Sequence, residues 1–409
     1  MKRTTIISLF IVLFFAACKK DEPPTNEYLL KFETVRTYTK AQLQQLILSN
    51  DLIPNEMAPM VLYDVRAIKI EYQTVDVNGA PIVASGGLLM PVSFSPFPVM
   101  SFQHGTILDQ SEAPSAFLSD FVGVAAIFSS LGYIMPMPDY LGYGSSKQIA
   151  HPYQHKKSLA TATRDMLRAS YEFFATQPNK PHNQNLFLTG YSQGGYATMA
   201  TLKLLQEEHP NEFRVKAATV GAGAYNKTAF ARYLVSSTDN QPFINYFLWV
   251  LDVYNKIYPQ LGRPYSHYFN EPYAAIISQN GVFAPGIETN PSLLFTQSFR
   301  NGLKNGTDTE MLAVLSQNDC FDWKPNTPLR LYHGTADNFV QYLNSQTAFA
   351  AMQAHGATQV SLVSIEGGNH DTSLPFYLFG TFGFFSEMAG KGDALPPANN
   401  LNNLRIVEN

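Results

Sequence analysis

The turn Gly190-Tyr191-Ser192-Gln193-Gly194 joins an apolar run, Asn185 to Thr189, directly to an Ala-, Leu- and Met-bearing stretch, Gln193 to His209. A strand that passes straight into a helix leaves no loop to absorb the change of direction. The residue at the corner then takes a strained backbone, and its neighbours must be small. Gly190 and Gly194 supply that room, while the helix that follows aims its unpaired N-terminal N–H groups at the same corner. Gly-x-Ser-x-Gly alone arises often by chance. Set between a strand and a helix, it makes Ser192 a candidate nucleophile.

The same alternation extends on both sides. Pro98 to Phe102, Tyr133 to Pro138, Val215 to Val220, Leu329 to Tyr332 and Val360 to Ile365 are further short apolar runs. Helical stretches at Ala116 to Ser130, Lys157 to Thr176, Leu343 to His355 and Leu374 to Met388 lie between or after them. Short buried strands alternating with helices imply an α/β chain, a mostly parallel sheet with helices on both faces. Two earlier segments, 64–74 and 82–90, alternate apolar and polar residues around Asn78-Gly79, which predicts an antiparallel hairpin at the start of the sheet. Thr39 to Asn50 has helical spacing and is expected to open the folded part.

The alternation stops after Val220 and resumes near Thr327. The stretch between is rich in aromatics, among them Phe243, Tyr246, Phe247, Trp249, Tyr254, Phe283 and Phe295. So long a structureless loop does not suit a compact domain, so residues 225–325 are expected to form a helical cap inserted in a core of residues 31–224 and 326–390. A separate domain is the alternative. Residues 391–409 are expected to be a loosely held tail.

A serine hydroxyl is a weak nucleophile near neutral pH and needs a base, which in turn needs an orienting acid. In an elbow fold these follow in the order acid, then histidine, each after a late strand. Asp337 follows Leu329 to Tyr332, and His370 follows Val360 to Ile365, with one helix and one strand between them. Asp319, Asp322 and Asp371 are rivals: the first two precede the strand, and the third sits next to the histidine. The oxyanion hole should combine the N–H of Gln193 with one from Gln103-His104-Gly105-Thr106, for which Thr106 is the candidate. His104 as a metal ligand competes with this. His151 and His155 sit at helical spacing with no third ligand nearby and are expected at the surface. The glycines of Pro138-Asp139-Tyr140-Leu141-Gly142-Tyr143-Gly144 suit a tight turn that Asp139 could tie down.

Composition narrows the partners. Acids outnumber bases by only 32 to 28, without the basic face a nucleic-acid binder carries. The 29 Phe and 22 Tyr favour apolar pockets or carbohydrate contacts over phosphate handling. At the N-terminus, Lys2 and Arg3 precede an apolar stretch, Ile6 to Phe15. Spanning a bilayer takes roughly 20 residues, so residues 1–17 suit a signal peptide. Its end, Phe15-Ala16-Ala17-Cys18, resembles a bacterial lipobox, which implies an acylated Cys18; an ordinary secretory signal is the alternative. Residues 18–30 then form a polar tether. Lys20-Asp21-Glu22 resembles the export signal of surface-displayed lipoproteins in some Bacteroidetes. The expected location is the bacterial outer membrane, periplasmic or surface-exposed, with the lipid as the chain's single membrane contact. With Cys18 acylated, Cys320 has no disulfide partner.

Together, Gln-His-Gly-Thr at 103–106, Pro-Asp-Tyr-x-Gly-x-Gly at 138–144 and Gly-Tyr-Ser-Gln-Gly at 190–194 resemble the secretory lipase family, the lipase A-type branch of the α/β-hydrolases. The order of acid and histidine and the insertion at 225–325 agree. The resemblance implies a carboxylic-ester hydrolase (esterase or lipase) working through an acyl-enzyme without cofactors, and a cap that holds the acyl chain. Its substrate would be a small-molecule, lipid or glycan acyl ester. A serine peptidase of aminopeptidase type, a glycan deacylase and a non-catalytic glycan-binding lipoprotein are the alternatives. The triad alone does not separate esters from amides.

Overall fold

The computed structural model describes residues 26–49, 53–390 and 405–408, the last four by backbone alone. The expected signal peptide, Cys18 and most of the expected tail lie outside the described residues.

Strands β1 (Leu29–Tyr38), β2 (Val65–Val75) and β3 (Pro81–Pro91) are antiparallel neighbours, and β2 alternates in burial as the hairpin pattern predicts. The hairpin turn is held by Asp76, whose Oδ1 accepts the amides of Asn78 at 2.8 Å and Ala80 at 2.9 Å. Strands β4 (Phe97–Gln103), β6 (His182–Tyr191), β7 (Val215–Gly221), β8 (Leu329–Gly334) and β9 (Val360–Glu366) run parallel, in the order β4-β6-β7-β8-β9. Between the two groups, β5 (Met135–Pro138) pairs antiparallel with β3. It meets β4 through one parallel bridge, Val99 to Ile134. Proline explains the gap. Ile134 donates to Pro98 and accepts from Met100, but the next donor along the ladder is Pro136, which has no N–H.

Two expectations shift at the chain ends. The folded part opens with β1, ahead of helix α1 (Lys40–Leu48), so residues 29 and 30 belong to a strand and not to the tether. Only Leu29 of β1 is buried, which leaves an edge strand with almost no alternation for a sequence pattern to register. Residues 405–408, expected within a loose tail, form β10 (Arg405–Glu408) antiparallel to β9.

Helices cover both faces of the sheet. α3 (Lys156–Thr176) and α4 (Gln193–Glu208) bury Leu159, Met166, Phe173, Met199 and Leu202 against one face. α1, α2 (Asp120–Ser130) and α13 (Leu374–Met388) bury Leu43, Ile127, Phe128, Phe382 and Phe385 against the other. Between β7 and β8 the chain makes seven helices, of which α5 (Lys227–Ser236), α6 (Ile244–Ile257) and α11 (Thr309–Gln317) carry contacts discussed below. These helices have a core of their own, built around Leu248, Tyr268, Phe269, Phe299 and Val314. Tyr225 and Trp323, at the two ends of the stretch, pack instead into the sheet core.

Asp139 ties the loop after β5 to its surroundings. Fully buried, it accepts Ser85 Oγ at 2.5 Å and the Ser115 amide at 2.8 Å, while burial pushes its carboxyl up. Asp139→Ala leaves both donors unpaired and should destabilise the fold by about 2–4 kcal/mol. Denaturant unfolding checks this; a loss below about 0.5 kcal/mol would deny Asp139 its structural role.

Candidate active site

Ser192 caps α4 at the end of β6 with φ 59° and ψ −122°, a left-handed backbone that non-glycine residues rarely adopt. Its amide donates to the Gly221 carbonyl of β7 at 2.8 Å. The close approach requires the glycines. A Cβ on Gly190 would sit 2.3 Å from the Gly194 oxygen, and one on Gly194 would sit 2.0 Å from the Gln103 oxygen.

The parallel strands bring the other candidates to the same edge. His370 Nε2 lies 3.0 Å from Ser192 Oγ, and its Nδ1 lies 2.8 Å from Asp337 Oδ2. The other carboxylate oxygen of Asp337 accepts the amides of Phe339 and Val340, both at 2.9 Å. A carboxylate at Nδ1 fixes the proton there, which leaves Nε2 as the acceptor facing the serine.

Two supports for this array have no signature in the motifs. His333, fully buried at the end of β8, places Nε2 2.7 Å from the Val340 carbonyl and 3.3 Å from Asp337 Oδ2. Tyr191 donates its hydroxyl to the His370 carbonyl at 2.6 Å. A lone histidine inside the apolar run of β8 is the one sequence clue to the first. Burial alone would push the Asp337 carboxyl up, but hydrogen bonds from His333 and His370 outweigh it and hold it well below the carboxylate range.

The rival acids are placed elsewhere. Asp319 accepts Thr228 Oγ1 at 2.7 Å at the start of α5, Asp322 pairs with His355 on the surface, and Asp371 is exposed.

The loop 103–106 crosses the N-terminus of α4, with Gly105 beside Ser192. Gln193, the first residue of α4, has an amide without an intrahelical acceptor, and the Thr106 amide has no acceptor among the described residues. The His104 ring lies between the carbonyls of Gly105, at 2.7 Å, and Asp139, at 3.2 Å. Among the described residues no group of three His, Cys, Asp or Glu could hold a metal.

His151 and His155 are buried, contrary to the surface position expected for them. The lack of a third ligand suggested solvent, but Trp249 packs on His151 and Tyr258 on His155. Desolvation lowers the His151 imidazole to about 3, so it stays neutral. Nδ1 donates to the Leu141 carbonyl at 2.6 Å, and Nε2 accepts from the Gln193 side-chain amide at 2.7 Å.

Ser192 opens on a cavity of about 90 Å³ between the sheet edge and the cap, lined mainly by Phe230, Leu234, Phe247, Val250 and Phe339. Its polar wall includes Gln154 and Lys227, and burial pulls the Lys227 ammonium down to about 7.

The model of the secretory lipase family matches residues 118–376, more than half of the chain's 409 residues. No curated protein matches the chain. Among solved structures, a Legionella pneumophila protein is 25% identical with a TM-score of 0.79, covering 90% of this chain and all of that one. The rice cell wall degrading esterase LipA from Xanthomonas oryzae is also 25% identical, with a TM-score of 0.72 over 90% of this chain and 97% of that one. Candida antarctica lipase A, at 16% identity and a TM-score of 0.63 over 90% of this chain and 82% of that one, shares the fold. The architecture is the α/β-hydrolase fold.

Because the Asp337 carboxyl is held down in the folded chain, its stabilising effect is complete above the unfolded value of roughly 3.9 and is lost as pH falls towards the folded one. The difference in unfolding free energy between the native chain and Asp337→Asn should therefore shrink as pH falls below about 4. A difference that persists undiminished down to about pH 2 would contradict this.

Proposed function

The chain belongs to the secretory lipase family and is a serine ester hydrolase, and from that premise we propose that Ser192, His370 and Asp337 form its catalytic triad and cleave short- to medium-chain acyl esters. The observation that carries the reading is the alignment of Ser192 Oγ, His370 Nε2 and Asp337 on the loops that follow β6, β9 and β8, opening on an apolar cavity.

In this mechanism His370 Nε2 takes the serine proton as Oγ attacks the ester carbonyl carbon. The carbonyl oxygen becomes an oxyanion held by the amides of Thr106 and Gln193. Collapse expels the alcohol, which takes its proton from His370 and leaves the acyl group on Ser192. Water then repeats the sequence, giving up a proton to His370, and releases the carboxylic acid. Asp337 keeps Nδ1 protonated and stabilises the imidazolium that forms.

Acyl length follows from the cavity. One water-sized group takes about 10–15 Å³ by the same measure, so about 90 Å³ suits a chain of a few carbons. Each buried methylene contributes at most about 0.8 kcal/mol, so preference should climb with length until the space is filled. The name of the Xanthomonas oryzae relative favours keeping acyl esters of a glycan as a second reading. The cavity wall offers no carboxylate to hold a substrate amine, which weighs against the peptidase alternative.

Ser192→Ala should lower kcat/KM by at least about 1,000-fold with its melting transition retained. Measured across C2 to C16 esters beside peptidyl amides, kcat/KM of the native chain should peak at short to medium esters. Amides matching the best ester would overturn the ester reading, and a sharp optimum at acetate would move it to glycan deacylation.

The anchor is proposed on sequence alone: Cys18 carries the lipid that holds the enzyme at the bacterial outer membrane. Among the described residues no helix is long and apolar enough to cross a membrane. Cys18→Ser should release the protein from the membrane fraction or block its maturation. Unchanged retention, with no acyl group by mass spectrometry of the native chain, would refute the anchor.

A further inference from the structure

The segment His151-Pro152-Tyr153-Gln154-His155 runs between the loop after β5 and α3, and all five residues are buried. Two of them touch the residues assigned to the oxyanion hole, from two sides. Tyr153 shares a hydrogen bond of 2.8 Å between its hydroxyl and Thr106 Oγ1, and His151 Nε2 accepts Gln193 Nε2 at 2.7 Å. No other hydrogen bond reaches the Thr106 or Gln193 side chain among the described residues.

The cap holds the same segment from above. Trp249 of α6 stacks on Tyr153 with centroids 4.1 Å apart and planes 10° apart, and meets His151 edge-on at 5.8 Å. Tyr254, further along α6, donates its hydroxyl to the Gln154 carbonyl at 2.8 Å. Lys227 of α5 donates its ammonium to Gln154 Oε1, and the His155 ring packs on Tyr258 at 5.8 Å. These bonds hold Gln154 at φ 58°, a conformation a glutamine keeps only when its surroundings over-determine it. Tyr153 and Gln154 also line the cavity that Ser192 opens on.

We propose that residues 151–155 are a positioning strap through which the cap, and an acyl chain packed beneath it, hold Thr106 and Gln193 in register with the oxyanion. Tyr153 and His151 are the positioning residues; neither touches the reacting atoms. The proposal rests on the assignment of Ser192 and of the Thr106 and Gln193 amides. Contacts of the chain with Tyr153 and Gln154 then support the geometry needed in the transition state, so part of the chain's binding energy is expressed in kcat and not in KM alone.

The test is steady-state kinetics on C2 to C8 esters, with a boronic acid as the probe of the tetrahedral adduct on Ser192. In the native chain kcat should rise with acyl length. Tyr153→Phe should cut kcat about fivefold to tenfold with KM nearly unchanged, flatten the rise in kcat, and weaken boronic acid binding by a similar factor. A merely structural phenylalanine substitution moves none of these, and thermal melting run in parallel identifies a folding defect. Thr106→Val should match Tyr153→Phe, and the double variant should be no worse than either, because both remove one hydrogen bond. His151→Ala, measured separately, should lower kcat through Gln193. A rise in KM at constant kcat, or losses that multiply in the double variant, would overturn the strap. Failure of the boronic acid to inhibit the native chain would instead sink the serine reading beneath it.

Discussion

The contact of the first turn of α4 with the end of β4 governs where everything else in the site can stand. Gly194 meets the backbone of Gln103 and His104 so closely that a Cβ would lie 2.0 Å from one oxygen and 2.8 Å from the other. Gly195 is pressed in the same way on Gly221 of β7, where a Cβ would come within 2.3 Å of the carbonyl oxygen. With helix and strands at backbone contact, Ser192 has no room to relax from φ 59°. Strain of about 1–3 kcal/mol persists at such a corner only because the packing around it leaves no alternative. The same approach lays Gln103 to Thr106 across the helix N-terminus, so Ser192 and the 103–106 loop are located by one contact.

That contact is made rigid from below by a chain of buried hydroxyls. Thr189 of β6 meets Thr219 of β7 at 2.7 Å and Tyr377 of α13 at 2.5 Å, and Thr219 meets Thr381 at 2.9 Å. Satisfied polar groups in a low-dielectric interior hold one arrangement, because any other leaves a donor stranded. Tyr377 also packs against Tyr191 with centroids 5.1 Å apart, and Tyr191 in turn holds the His370 carbonyl. The loop that carries the histidine is thus braced on the strand that carries the serine. Distances such as the 3.0 Å between them depend on both attachments.

Elements that bury one continuous face are legible in the sequence itself. β4 is buried along its whole length and apolar from Phe97 to Met100, and the helix at Leu374 has the bounds its pattern gives. The elbow and the two late-strand loops are equally legible, because each follows from what a strand-to-helix corner or a βα loop demands of nearby residues. The misses share a different physics. β1 has one buried residue, and β10 lies where the sequence alternates too little to be told from a tail. β5 was expected among parallel strands, yet Pro136 prevents it from continuing a ladder with β4. His151 is buried by contacts with Gln193 and Trp249, distant in sequence, and His333 by the turn of the loop after β8, and no strand or helix periodicity encodes either. Both matter to the site through hydrogen bonds, to Gln193 and to Asp337, that only the folded chain assembles.

The aromatics between β7 and β8 raise a harder ambiguity, since an aromatic that fills a helical core and one that walls a ligand pocket look alike in sequence. The fold resolves it by geometry. Most of the cavity's wall belongs to the cap helices, which pack a core of their own, while Ser192, Phe339 and Val340 close it on the side of the sheet edge. Tyr254, Phe295 and Phe299 serve both purposes, with one side in the cap core and another on the cavity. An apolar chain entering the space would gain contacts with Phe230, Leu234, Phe247 and Phe339 directly beside Ser192. The space is enclosed by helices and loops distant in sequence, which is why no single residue of the stretch announces it.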